Sequence, residues 1–114
     1  MIVALLIGRA GSKGLKRKNI LKINKKFICE YPLMAAKNSK LVKRIYVSTD
    51  CKTIAKVSKK YDAIQIKRPK LLANSKALAE DVYKHAYENI KARLKKEKKE
   101  ITLLVLLMAN AATI

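Results

Sequence analysis

Met1 to Asn19 reads MIVALLIGRAGSKGLKRKN, and the fold turns on how this stretch is divided. Met1 to Ile7 is an apolar run with no turn residue, of the length and Ile/Val content that suit a strand buried on both faces. Gly8-Arg9-Ala10-Gly11-Ser12-Lys13-Gly14 follows, with Lys16, Arg17 and Lys18 close behind. All three glycines of the chain fall here, three residues apart. Glycine lets a backbone approach a ligand closely. A buried strand that runs into a glycine-rich, cationic, acid-free loop is suited to holding an anion. Backbone N–H groups cradle the phosphate, and Lys and Arg supply charge. The loop has neither the G-x-x-x-x-G-K-[ST] nor the G-x-G-x-x-G spacing. A basic surface turn in a lysine-rich chain is the plain alternative.

Working outward, 114 residues make one small domain or part of one. Half the residues are apolar, but only five Tyr and one Phe are aromatic, so the core has to be built from Ile, Leu, Val and Ala. The net charge of +19 favours an anionic partner if it is concentrated, and solvation if it is spread. It is mostly spread; the exception is Arg9 to Lys26, with eight cations and no acid. Cys29 and Cys51 fit no metal-ligand spacing and read as reduced thiols of a cytoplasmic protein. The N-terminal apolar run lacks the basic flank of a signal peptide and is too short to span a bilayer.

Further along, Ile20 to Phe27 reads as a short extended excursion with a turn at Asn24-Lys25-Lys26. Pro32 opens a helix that runs to about Lys40. Ile45 to Ser48 is a second strand. Asp50 is placed either to cap the next helix or to join the edge of a site. Ile54, Val57 and Tyr61 share one helical face. Ala63 to Ile66 is a third strand, ended by Arg68-Pro69. Asn74 or Ser75 can cap a long helix with Leu78, Val82, Ala86, Ile90 and Leu94 as its buried stripe. Its far end, Lys95 to Glu100, reads as a solvated and frayed charge run, and Ile101 to Leu107 as a fourth buried strand. Strand and helix alternate throughout, which predicts an α/β fold with a parallel sheet and right-handed crossovers. Ligands of such sheets sit beyond the carboxyl ends of the strands, where strand order reverses.

GRAGSKGLKRKN resembles the signature of the acylneuraminate cytidylyltransferase family, A-R-G-G-S-K-G-[IL]-x-x-K-N after the first strand. The resemblance continues in register. Arg44 to Asp50 (RIYVSTD) is similar to the family's second strand ending in S-T-D. Arg68-Pro69 with Leu72-Ala73 is similar to its R-P-x-x-L-A segment, and Asp81-Val82 to the D-V of the next helix. The resemblance implies a Rossmann-like sheet with flanking helices, of the nucleotide-diphospho-sugar transferase type. It places residues 1–114 as the N-terminal, nucleotide-binding part of one such domain, with the sheet incomplete. It further implies transfer of CMP from CTP to an acidic sugar with release of pyrophosphate.

Nucleotidyl transfer is an in-line attack on an α-phosphorus, so the protein has to hold the triphosphate and neutralise developing charge. Arg9 is the candidate phosphate clamp, because its planar fork can hold two oxygens. Gly11 and Ser12 offer backbone N–H groups and a hydroxyl, Lys18 a point charge, and Asn19 amide contacts to ribose or base. The resemblance puts Arg9, Ser12, Lys18 and Asn19 in the nucleotide site and makes Arg68 a substrate-contacting arginine; a plain surface arginine before a turn is the other reading. Asn110 is a candidate for the acceptor sugar. His85 reads as a core-edge histidine.

Family members use Mg2+, and the metal-binding aspartates and dimerisation segment expected of them would lie beyond Ile114. The 114-residue chain is therefore expected to be impaired or inactive alone, and a homodimer is expected only of a longer form. The family's Q-P-T-S-P after the fourth strand is replaced by Met108-Ala109-Asn110-Ala111-Ala112, and its usual aspartate near the long helix by Ser75. Both changes bear on the acceptor and the base. The competing readings are a basic nucleic-acid-binding module and a non-catalytic truncated remnant. The shortage of aromatics weighs against the first, because single-stranded bases need stacking partners.

Overall fold

The computed structural model describes residues 1–8, 22–23, 25–27, 29–49, 51–69 and 79–108. Its centre is a four-stranded parallel sheet. Strand β1 (Ile2–Gly8) lies in the middle, paired on one side with β4 (Val42–Thr49) and on the other with β6 (Leu103–Met108); β5 (Ile64–Ile66) pairs with the far side of β4. A two-residue antiparallel hairpin, β2 (Lys22–Ile23) and β3 (Lys26–Phe27), stands apart with Lys25 at positive φ in its turn.

The period of two along β1 explains why it reads as an unbroken apolar run. Ala4 and Leu6 pack on one face with Ile45 and Val47 of β4, under helices α1 (Glu30–Asn38) and α2 (Lys52–Ser58). Val3 and Leu5 pack on the other with Tyr46 and Ile66, under helix α3 (Ala79–Lys96). Both faces are covered, so no position along the strand calls for a polar residue. From β1 through β4 to β5 the chain moves one way under α1 and α2. From β5 to β6 it returns past β1 under α3, on the opposite face. Reversing direction and face together keeps all crossovers the same hand.

The helices depart from the sequence expectations at their ends. Helix α1 begins at Glu30, two residues before Pro32, and stops at Asn38. Pro32 is its third residue, where no intrahelical N–H bond is required, so the proline sits inside the helix at no cost. The cap position of α2 falls on Cys51 rather than Asp50, which lies outside the described residues. Thr49 Oγ1 accepts the Cys51 N–H at 3.0 Å, closing the turn from β4 into α2. Tyr61 belongs to a 3-10 turn, Lys59–Tyr61, that extends α2. In α3 the expected stripe Val82, Ala86, Ile90 and Leu94 is fully buried; Leu78, Asn74 and Ser75 lie outside the described residues.

The expected fraying of the charge run after α3 is not seen. The Lys99 N–H bonds the Leu94 carbonyl at 2.8 Å and the Lys98 N–H bonds Lys95 at 3.0 Å, with Lys98 at φ 59°. That is a Schellman closure on a lysine. Glu97 reaches back to β4, where its two oxygens meet Arg44 Nη1 and Nη2 at 2.5 and 2.6 Å. The 3-10 turn ends the same way on Asp62, with Ala63 bonded to Ser58 and Asp62 to Lys59. With every glycine placed in the loop after β1, both left-handed helix ends fall on other residues.

Candidate functional site

The carboxyl ends of all four strands lie on one edge of the sheet. Gly8 is level with Thr49, Ser48 with Ile66, and Ile7 with Met108. Strand order reverses between β1 and β6, so the crevice beyond Gly8 and Met108 is the topological switch point. The glycine-rich segment starts there, directly after Gly8. Its candidates Arg9, Gly11, Ser12, Lys18 and Asn19 lie outside the described residues, and so does Asn110, two residues after β6.

Arg68 is the one sequence candidate whose side chain is described. It follows β5 by two residues and is 7% exposed. Its Nε donates to Ser48 Oγ at 3.0 Å; its Nη2 donates to the Gly8 and Ser48 carbonyls, both at 2.9 Å. A plain surface arginine is thereby excluded. The guanidinium spans the ends of β1 and β4 from a segment leaving β5, and charge-assisted bonds to otherwise uncovered carbonyls are among the stronger ones available to a buried group. It also brings a fixed positive charge to the ligand-binding edge of the sheet.

Ser48 is the partner that sequence reasoning missed. Fully buried, it faces the same side of β4 as Tyr46. A lone serine ending the apolar face of a buried strand was the available signal, because a buried hydroxyl needs a partner.

Other chemistry-bearing groups are accounted for away from this edge. Burial, with the neighbouring Glu30 charge, pushes the Cys29 thiol up to about 11, so it is no nucleophile at neutral pH. His85 is half-buried on α3, its Nδ1 without a hydrogen-bond partner among the described residues. A cleft of about 210 Å3 opens beside the start of β4, lined in part by Lys37, Arg44, Tyr61 and Asp62. Its charges are already matched, Lys37 with Asp62 and Arg44 with Glu97. Among the described residues no group of three His, Cys, Asp or Glu could hold a metal ion, and no helix is long and apolar enough to cross a membrane.

Comparison with known proteins agrees with this geometry. Residues 3–97 match the family model described as Cytidylyltransferase. The chain is 47% identical over 76 residues, 66% of its length, to CMP-N,N'-diacetyllegionaminic acid synthase of Campylobacter jejuni. It is 35% identical over 85 residues, 75% of its length, to N-acylneuraminate cytidylyltransferase of Escherichia coli. It spans 32% of the first relative and 20% of the second, so each is several times longer than the matched part. Among solved structures, a CMP:2-keto-3-deoxy-manno-octonic acid synthetase complexed with CTP superposes on 99% of this chain, with a TM-score of 0.70 at 18% identity. The chain covers 42% of that structure, and the likeness establishes the fold.

Proposed function

Because this chain belongs to the cytidylyltransferase family, we propose that it binds CTP across the carboxyl edge of its sheet, as the N-terminal nucleotide-binding part of a domain that transfers CMP to an acidic sugar of the acylneuraminate type. The observation that carries the reading is the position of Gly8. The glycine-rich cationic segment leaves the central strand at the switch point, where a parallel sheet takes its ligand. Relatives named for CMP transfer to acylneuraminic and legionaminic acids support the choice of nucleotide and of acceptor class.

In this reading the acceptor hydroxyl attacks the α-phosphorus and pyrophosphate leaves. Arg9 clamps phosphate oxygens with its planar fork, Lys18 offsets charge on the outer phosphates, and the amides around Gly11 and Ser12 face the developing negative charge. Asn19 meets the nucleoside. Arg68 adds positive field beneath the site. Asn110, in a segment where the family's glutamine is replaced by Met108, is assigned to the acceptor side. Magnesium is the ion expected from the resemblance. The described residues supply no cluster of acids for it, and no step is derived through it here.

The test is a calorimetric titration of the chain with CTP and magnesium at physiological salt, beside an Arg9→Ala variant. Saturable binding of CTP in preference to ATP is expected, weakened at least about tenfold by Arg9→Ala, which corresponds to about 1.4 kcal/mol. A folded chain that takes up no CTP, or an Arg9→Ala variant that binds as well as the parent, overturns it.

A further inference from the structure

Three acceptors on two strands converge on one buried side chain. The Gly8 carbonyl is the last of β1, and the Ser48 carbonyl and hydroxyl belong to the next-to-last residue of β4. All three meet Arg68 within 3.0 Å. At the carboxyl end of a parallel sheet the ladder runs out and the final carbonyls lose their strand partners. Here a side chain from beyond β5 takes the place of the missing amides. Only a planar, multi-donor fork can do this. A lysine ammonium carries its donors on a single atom and cannot reach two strand ends and a hydroxyl together.

We propose that Arg68 is a positioning residue for the triphosphate: by pinning Gly8 to β4 it sets the direction in which the glycine-rich segment leaves β1. This departs from the substrate-contact role that the resemblance assigns to Arg68. It rests on the nucleotide reading above and deepens it. The Nε and Nη2 donors are committed to the protein, and the residue they anchor immediately precedes Arg9, the proposed clamp. A group acting in this way affects binding of phosphates, which the segment would hold, and not binding of the nucleoside alone.

The experiment compares CTP and cytidine by calorimetry on the parent chain, on Arg68→Lys and on Ser48→Ala, each titrated at a temperature where unfolding curves show it folded. Arg68→Lys is expected to weaken CTP about tenfold or more and to leave cytidine within about twofold, since only the positioned part of the site is disturbed. Ser48→Ala removes one of the three acceptors without approaching the ligand. It is expected to weaken CTP in the same sense by about threefold, the scale of one modest hydrogen bond. Loss of cytidine in parallel with CTP means that Arg68 touches the nucleoside directly, and the proposal falls. Unchanged CTP binding in both variants leaves only a structural or acceptor-side role, and the proposal falls again.

A second readout needs no nucleotide. Amide exchange in the free chain is expected to speed up over Arg9 to Gly14 in Arg68→Lys, with α3 amides still protected. Uniform loss of protection, or none, overturns the proposal. A parent chain that takes no CTP defeats the nucleotide reading, and exchange then decides the role of Arg68 by itself.

Discussion

The Tyr61 hydroxyl donates to Glu30 Oε1 at 2.8 Å, joining the 3-10 turn after α2 to the first residue of α1, 31 residues earlier. The other carboxylate oxygen of Glu30 accepts the Phe27 N–H, also at 2.8 Å. One buried carboxylate therefore ties the β2–β3 hairpin, the start of α1 and the end of α2 together. Its charge also lies in the first turn of α1, where the helix dipole favours an anion.

This bond gives stability a defined pH dependence. Burial acts to raise the Glu30 pKa, but the Tyr61 hydroxyl, the Phe27 N–H and the charges of Lys60 and Lys26 outweigh it, and the carboxyl sits below its ordinary value. The stabilisation is complete above the unfolded value of about 4.3 and is lost as pH falls through the lower folded value. Tyr61 behaves in the opposite sense. Burial and the Glu30 bond push it up to about 12, so its contribution is lost as pH rises from its unfolded value toward 12. Urea unfolding across pH checks both limbs: Glu30→Gln should flatten the acid one and Tyr61→Phe the alkaline one. At neutral pH, Tyr61→Phe should cost about 1–2 kcal/mol, the scale of a hydrogen bond to a charged group.

Cys29 should resist alkylation. It is fully buried in the cluster with Leu33 and Ile54, and its thiol is pushed up to about 11. Iodoacetamide at about pH 8 should label Cys29 in the folded chain at least about tenfold more slowly than in urea, because the thiolate is scarce and covered. Mass spectrometry of the labelled peptides reads the ratio. Equal rates would mean that the α1 face opens freely.

The order of the elements and the location of the site are legible in the sequence because they rest on local signals. Apolar runs of strand length, a helical stripe at Val82, Ala86, Ile90 and Leu94, and glycines gathered after β1 each report on their own neighbourhood. What escapes is what tertiary register decides. Nothing near Ser48 says that Arg68 will meet it, and nothing near Glu97 says that Arg44, 53 residues away, will hold it. The helix ends at Asp62 and Lys98 escape for another reason. Glycine is the usual sign of a left-handed residue, and neither position carries one. Pro32 misleads by two residues, since a proline is as well tolerated at the third helical position as at the first.

Lys98 offers a direct stability gain. A residue with a β-carbon pays about 1–2 kcal/mol to hold φ near 59°, while glycine gives back roughly 0.5–1 kcal/mol of unfolded-state entropy. Lys98→Gly should therefore raise the unfolding free energy by up to about 1 kcal/mol, with the Lys99-to-Leu94 closure kept. Denaturant unfolding at neutral pH checks it. A loss of stability would show that the Lys98 side chain contributes more than its backbone costs.

The outer side of β6 is the remaining weak point. Among the described residues β6 pairs only with β1, and Leu103 and Leu106 are 54% and 45% exposed. An open, apolar strand edge is a template for association, and a lysine on such an edge opposes it. Leu106→Lys should leave the unfolding free energy within about 0.5 kcal/mol, because little buried area is lost. It should also raise the protein concentration at which light scattering detects association. The comparison is best made at about 0.5 M salt, where the +19 charge of the chain no longer holds copies apart. Unchanged association would place the sticky surface elsewhere; a large loss of stability would mean that Leu106 packs more tightly than its exposure indicates.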